Sequence, residues 1–163
     1  DGDGDGDGDG DGDGDGDDNS HLPCEISEWQ QEVLDLTNAA RAAGETCGGR
    51  EYGPTSPLEW DCQLIQAAKG HSDDMANNNF FSHTGSDGLS VANRVSNAVY
   101  GWSMVGENIA AGQRSPEAVV RAWIGSAGHC ANIMNSGYRE IGVGIAYPTG
   151  SQYSIYWTQV FAR

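Results

Sequence analysis

Apolar residues recur three or four positions apart over two long stretches, the repeat of a single helix face. Ile26, Trp29, Val33, Leu36 and Ala40 line one side of a predicted helix over residues 26–43, and Gly44 ends it. A second helix is predicted from Leu58 to about Asn77, with Asp61 as an early-turn acid and Leu64, Ala68, His71 and Met75 on one face. His71 thus falls on the buried side, where a lone histidine is more often a hydrogen-bonded core residue than a ligand. Ser115-Pro116-Glu117 reads as a helix start: serine as N-cap, proline in the first turn and an acid beside it. That helix runs to about Ile124 with Val119, Val120 and Trp123 inward, and Gly125 and Gly128 end it. Residues 140–147 and 153–161 read as strands joined by the turn Pro148-Thr149-Gly150-Ser151, the second rich in aromatic and β-branched residues. Helices first and strands last predict an α+β layered domain.

Between these elements the pattern weakens. Residues 44–57 are rich in glycine and proline and read as loop. Residues 77–88 are irregular; Phe80 and Phe81 are expected to anchor them to the core while His83 faces a cleft. Residues 90–98 suit a short helix, and residues 106–112 carry Glu107. Trp60, Trp123 and Trp157 sit in apolar settings that favour the core over sugar stacking, and Asp73, Asp74 and Asp87 read as solvated carboxylates rather than calcium ligands.

The formal charge of −16 describes two unlike parts. Residues 1–18 hold ten Asp and no base; the rest carries 14 acids against 8 bases, an ordinary acidic domain. That balance argues against nucleic acid or an anionic membrane as partner, and no apolar run is long enough to span a bilayer. Cys24, Cys47, Cys62 and Cys130 include no C-x-x-C pair, so zinc-finger spacing is absent, and their even count at wide spacing favours two disulfides in an oxidising compartment over four buried free thiols in a cytosolic protein. No leader is visible, so an exported chain is expected in processed form. No organic cofactor is indicated.

The chain divides into a repeat over residues 1–18, a polar hinge over 19–25 and a folded domain over 26–163. Strict Asp-Gly alternation offers no side chain to pack and reads as a self-repelling linker. The alternative is cation-dependent order. Asp1, Asp3, Asp5, Asp7, Asp9, Asp11, Asp13, Asp15 and Asp17 repeat the first half of an EF-hand calcium loop without the closing glutamate, so calcium would be weakly and multivalently held. Self-assembly into an extracellular filament, or attachment of a glycan, would also act through this repeat.

Three stretches carry the candidate chemistry: Phe80-Phe81-Ser82-His83, Gly106-Glu107-Asn108-Ile109 and Gly128-His129-Cys130-Ala131-Asn132. Two imidazoles and a carboxylate, brought together, make a metal-ligating or acid–base pocket. Asn108 and Asn132 are expected to hydrogen-bond backbone around it. With Leu58-x-Trp60-Asp61-x-x-Leu64, His71-Ser72-x-Asp74-Met75-Ala76, Trp123-x-x-Ser126-x-Gly128-His129 and Ile141-Gly142-Val143-Gly144, these motifs resemble the CAP superfamily (SCP domains) in its bacterial form, over about Trp29 to Phe161. The resemblance implies a secreted, three-layer α–β–α sandwich whose cleft binds a divalent cation in some members. It places His83, Glu107 and His129 as cleft residues, the last in a motif that opens a strand, with Ser126 where a second acid usually stands. It also implies the pairs Cys47–Cys130 and Cys24–Cys62.

Three functions follow as expectations. The first is a binding module holding zinc, a similar cation or a small extracellular ligand through His83, Glu107 and His129. The second is a filament domain built on the repeat. The third is a metal-dependent hydrolase using the same three residues as its catalytic set, with no G-x-S-x-G elbow to support a serine version.

Overall fold

The computed structural model describes residues 23–163. The Asp-Gly repeat, with every expectation placed on Asp1 to Asp17, lies outside the described residues. The elements in chain order are α1 (Glu28–Ala43), β1 (Glu45–Cys47), β2 (Arg50–Tyr52), β3 (Glu59–Trp60), α2 (Cys62–Asn77), α3 (Val91–Asn97), β4 (Val105–Ala111), α4 (Pro116–Ile124), α5 (Ala127–Met134), β5 (Glu140–Ala146) and β6 (Tyr156–Ala162).

The main sheet has the order β3-β5-β6-β4. Strand β6 pairs antiparallel with both β4 and β5, and β3 runs parallel to β5 over two residues. Side chains of a strand alternate between faces, and here each face carries helices. Trp157 and Phe161 of β6 and Ile141 and Val143 of β5 share one core with Val33 of α1, Val119 and Trp123 of α4 and Ile133 of α5. Val160 and Ala162 point the other way, into a core with Leu64 and Ala68 of α2 and Val95 of α3. The result is helix layer, sheet, helix layer, the mixed α+β arrangement expected.

Helix α2 lies unusually close to β5 because that strand presents glycines to it. A Cβ at Gly142 would stand 2.1 Å from the Leu64 carbonyl carbon, and one at Gly144 would stand 2.3 Å from that of Ala68. Into this contact Ser72 donates its hydroxyl to the Gly144 carbonyl at 2.9 Å, and its Oγ lies 2.7 Å from Thr158 Oγ1.

Several boundaries differ from the sequence expectation. Helix α1 starts at Glu28, where Ser27 and Gln30 form a reciprocal capping box, and not at residue 26. Asp61 is the N-cap of α2, accepting from Leu64 N at 2.9 Å, so Leu58 to Trp60 precede the helix and Glu59–Trp60 form β3. The loop over 44–57 contains the β1–β2 hairpin, and residues 105–111 form strand β4. The last strand begins at Tyr156. The stretch around His129 opens a helix, α5, and not a strand: the Cys130 N–H bonds the Ser126 carbonyl at 2.8 Å. Phe81 is 51% exposed and anchors nothing; Phe80 alone packs inward, beside Met75 and His71.

Both disulfides form, Cys24–Cys62 and Cys47–Cys130. The second ties the β1–β2 hairpin to α5 one residue after His129. Trp123 and Trp157 are core residues, their indole N–H groups bonded to the Ile109 and Gln113 carbonyls, and Trp157 stacks on Trp29 at 5.7 Å.

Candidate functional site

The site forms at the edge of the sheet, where β4 has a strand neighbour on one side only among the described residues. Glu107 and Asn108 are successive residues of that strand and so face opposite helix layers. Glu107 turns toward the α2–α3 layer and Asn108 toward α5. His83 meets the strand on the Glu107 side, and His129 belongs to α5 on the Asn108 side.

Glu107 is almost wholly buried, its side chain 2% exposed, and both carboxylate oxygens are engaged. Oε1 lies 2.9 Å from His83 Nδ1. Oε2 accepts from Arg94 Nη2 at 2.5 Å. Buried charges persist when paired and hydrogen-bonded, and Arg94 supplies both: its Nη1 also donates to the His83 and Leu89 carbonyls at 3.0 and 2.9 Å. Arg94 therefore fixes the carboxylate and the backbone of the histidine that the carboxylate orients. The outer face of His83 is open, its side chain 56% exposed.

Beneath them lies His71, fully buried, as the sequence led one to expect of a core histidine. Its Nε2 is 2.7 Å from the Ser82 carbonyl, which can only accept, so Nε2 carries the proton and holds the segment leading to His83. Glu107 Oε1 stands 3.9 Å from the same nitrogen. Burial pushes the His71 imidazole below its usual 6.5, against the smaller upward pull of Glu107.

On the other side, a chain of side-chain amides holds α5 to the sheet. Gln159 donates to Thr37 Oγ1 at 2.9 Å and accepts from Asn108 at 3.1 Å. Asn108 also donates to the His129 carbonyl at 3.1 Å, and Asn132 donates to Asn108 Oδ1 at 2.9 Å and to the Glu107 carbonyl at 3.3 Å. Asn108 and Asn132 thus serve the backbone around the cleft. Ser126 is the N-cap of α5, but its hydroxyl makes no capping bond. His129 is half-buried and close enough to His83 to feel its charge; burial first, then that charge, lowers its pKa below the usual value.

The three expected ligands are therefore neighbours but not a three-ligand set. Among the described residues, no three His, Cys, Asp or Glu side chains are arranged to hold a metal ion. Glu107 is committed to Arg94 and to the inner nitrogen of His83. With Glu107 so engaged, the imidazoles of His83 and His129 are the two remaining members of the expected set. The acids weighed for calcium serve the fold: Asp74 accepts from Ser86 N–H and from Asn78, Asp87 accepts from Leu89 N–H, and Asp73 pairs with Lys69. Arg94 escaped the sequence reading because one arginine in a short polar helix carries no local mark of burial.

A pH dependence follows. His71 and His129 both have folded-state pKa values below the unfolded one, so the unfolded chain binds more protons below neutrality. Stability is full above about pH 6.5 and falls as pH drops through that value. The urea midpoint at pH 5.5 is expected to lie below that at pH 7.5, and His71→Gln should flatten the difference.

Residues 34–161 match the model of the cysteine-rich secretory protein family (CAP), so the chain belongs to that family. The YkwD protein of Bacillus subtilis is 36% identical over 139 residues, covering 85% of this chain and 49% of YkwD. The solved structure of an extracellular SCP-domain protein from Bacillus anthracis is similar with 32% identity and a TM-score of 0.67, covering 82% of this chain and 39% of that one. An outer surface protein of Borrelia burgdorferi shares the fold, at 20% identity, a TM-score of 0.64, and coverage of 82% and 87%. The chain thus spans about half or less of the two Bacillus relatives. Among the described residues no helix is long and apolar enough to cross a membrane.

Proposed function

We propose that this is a secreted CAP-domain binding module whose cleft holds a divalent cation between His83 and His129. The observation that carries the reading is the bond from His83 Nδ1 to buried Glu107 at 2.9 Å, with the far side of the ring open. A metal-ligating histidine usually gives its second nitrogen to a carboxylate, which fixes the ring and raises its basicity. Glu107 acts on the cation through His83, and Arg94 keeps Glu107 in place. The lowered pKa of His129 leaves its imidazole neutral at pH 7, with a lone pair for a ligand bond. A cation bound there would supply a Lewis-acid centre with open positions for a small ligand. Export is supported by the two disulfides and by the extracellular and outer-surface descriptions of the Bacillus anthracis and Borrelia proteins. The hydrolase reading has less support, because the carboxylate that would activate water is tied to Arg94 and His83. The filament reading rests on residues outside the described range.

Calorimetry with zinc tests the proposal. The wild-type domain is expected to take up one ion, His83→Ala with His129→Ala to take up none at the cleft, and Glu107→Gln to bind about 10–100-fold more weakly. Equal uptake by the wild type and the double variant would remove the cleft as the site.

A further inference from the structure

We propose that the groove between α2 and the end of β5 binds a neutral sugar, a pyranose ring stacked on Tyr147. This groove lies away from the cleft: in the order β3-β5-β6-β4, strand β6 separates β5 from the strand that carries Glu107. Its volume is about 350 Å³, within the ~300–1,000 Å³ of small-molecule sites. Lys69, Asp73 and Asn77 line it from α2, and Tyr147 and Pro148 line it just past β5, with buried Ile145 beside them. Tyr147 is 60% exposed, yet its ring is held. Trp29 lies against it at 6.1 Å, and Trp29 in turn stacks at 5.7 Å on Trp157, which is fully buried. An aromatic ring rooted in the core in this way offers solvent an apolar surface that a ligand can cover at little ordering cost.

The α2 residues supply the polar part. They fall four apart and so share one helix face. Asp73 only accepts hydrogen bonds, Lys69 only donates, and the Asn77 amide does both. Lys69 and Asp73 pair with each other, so the row carries no net charge. Asn77 is exposed, and its side chain has no hydrogen-bond partner among the described residues. A ligand matched to this lining needs an apolar face for the ring and, at its edge, groups that donate and accept alike. A pyranose has both: C–H bonds make one face apolar, and each hydroxyl donates and accepts. An anion would meet the Asp73 carboxylate and a cation the Lys69 ammonium. An aliphatic chain would desolvate the polar row without replacing its hydrogen bonds.

The test is a 1H–15N titration of the full chain with cellobiose and with N,N′-diacetylchitobiose, both neutral, against glycerol, which has hydroxyls and no ring. The expected result is saturable shifts of the backbone amides of residues 69–77 and 145–147 with at least one disaccharide and none with glycerol. Tyr147→Ala should weaken binding about tenfold, the loss of one aromatic contact. Tyr147→Phe should keep it within about twofold, because the ring face and not the phenol carries the contact. Asn77→Ala should weaken it about fivefold, one hydrogen bond. Both positions are exposed, and melting curves of the variants check that they fold. His83→Ala with His129→Ala should leave sugar binding unchanged, which separates this site from the cleft. No shift with either disaccharide, equal shifts with glycerol, or undiminished binding by Tyr147→Ala would overturn the proposal.

Discussion

Gly142→Ala is expected to cost about 3 kcal/mol, the upper end for overpacking a close contact. The added methyl would lie 2.1 Å from the Leu64 carbonyl carbon and 2.3 Å from Ile65 N. Those are backbone atoms of α2, so no side chain can rotate aside; the helix itself must leave the sheet. Helix α2 carries His71 and feeds the segment that ends at His83, so its displacement reaches the cleft as well. A drop of about 10 °C in the thermal midpoint checks the claim. Gly70 provides the contrast: it lies mid-helix in α2, exposed, with nothing within 4 Å of an added Cβ. Gly70→Ala is expected to stabilise by about 0.5–1 kcal/mol through helix propensity alone.

Arg41→Ala should cost about 3–5 kcal/mol, because hydrogen bonds from a charged group are worth about 1.5–3 kcal/mol and loss of a large buried side chain leaves a cavity. Arg41 is fully buried near the end of α1. It donates to the Ser56, Ile133, Asn135 and Tyr138 carbonyls at 2.7, 2.8, 2.9 and 3.4 Å. Removing it takes a donor from four carbonyls, of which Asn135 and Tyr138 keep another partner, and leaves a cavity. Two of those carbonyls close the C-terminal end of α5, where a cation also favours the helix dipole. The loss should therefore loosen the helix that carries His129. Arg41→Lys is expected to restore little, because a single ammonium cannot reproduce the guanidinium fork. Denaturant unfolding of the three proteins gives the magnitudes.

The parts of the fold that could be read from sequence were those where one period held throughout. Val33 and Ala40 of α1, the Ser-Pro-Glu start of α4 and the aromatic run of β6 each obeyed a local rule, whereas Leu34, Thr37 and Arg41, also buried on α1, fell outside the predicted face. Strand β4 escaped because two of its buried positions are Glu107 and Asn108, which hide the alternation of a strand. Helix α5 escaped because Gly128 sits inside it and reads as a stop. The hairpin β1–β2 is too short and glycine-rich to carry a pattern. At the site, His83, Glu107 and His129 could be singled out by motif, and so could the pairing of Cys47 with Cys130. Their division of labour could not, because it depends on Arg94 and His71, which reach Glu107 only through the packing of α2 and α3 against the strand edge. Sequence singled out three side chains; the structure ties one of them, Glu107, to another, His83.

The most direct test of this account is a side-chain 1H–15N spectrum of the histidines during a zinc titration. His83 and His129 are expected to shift together, at the same zinc concentration, while His71 stays at its metal-free position on the Ser82 carbonyl. Zinc saturation with either His83 or His129 unmoved would contradict it.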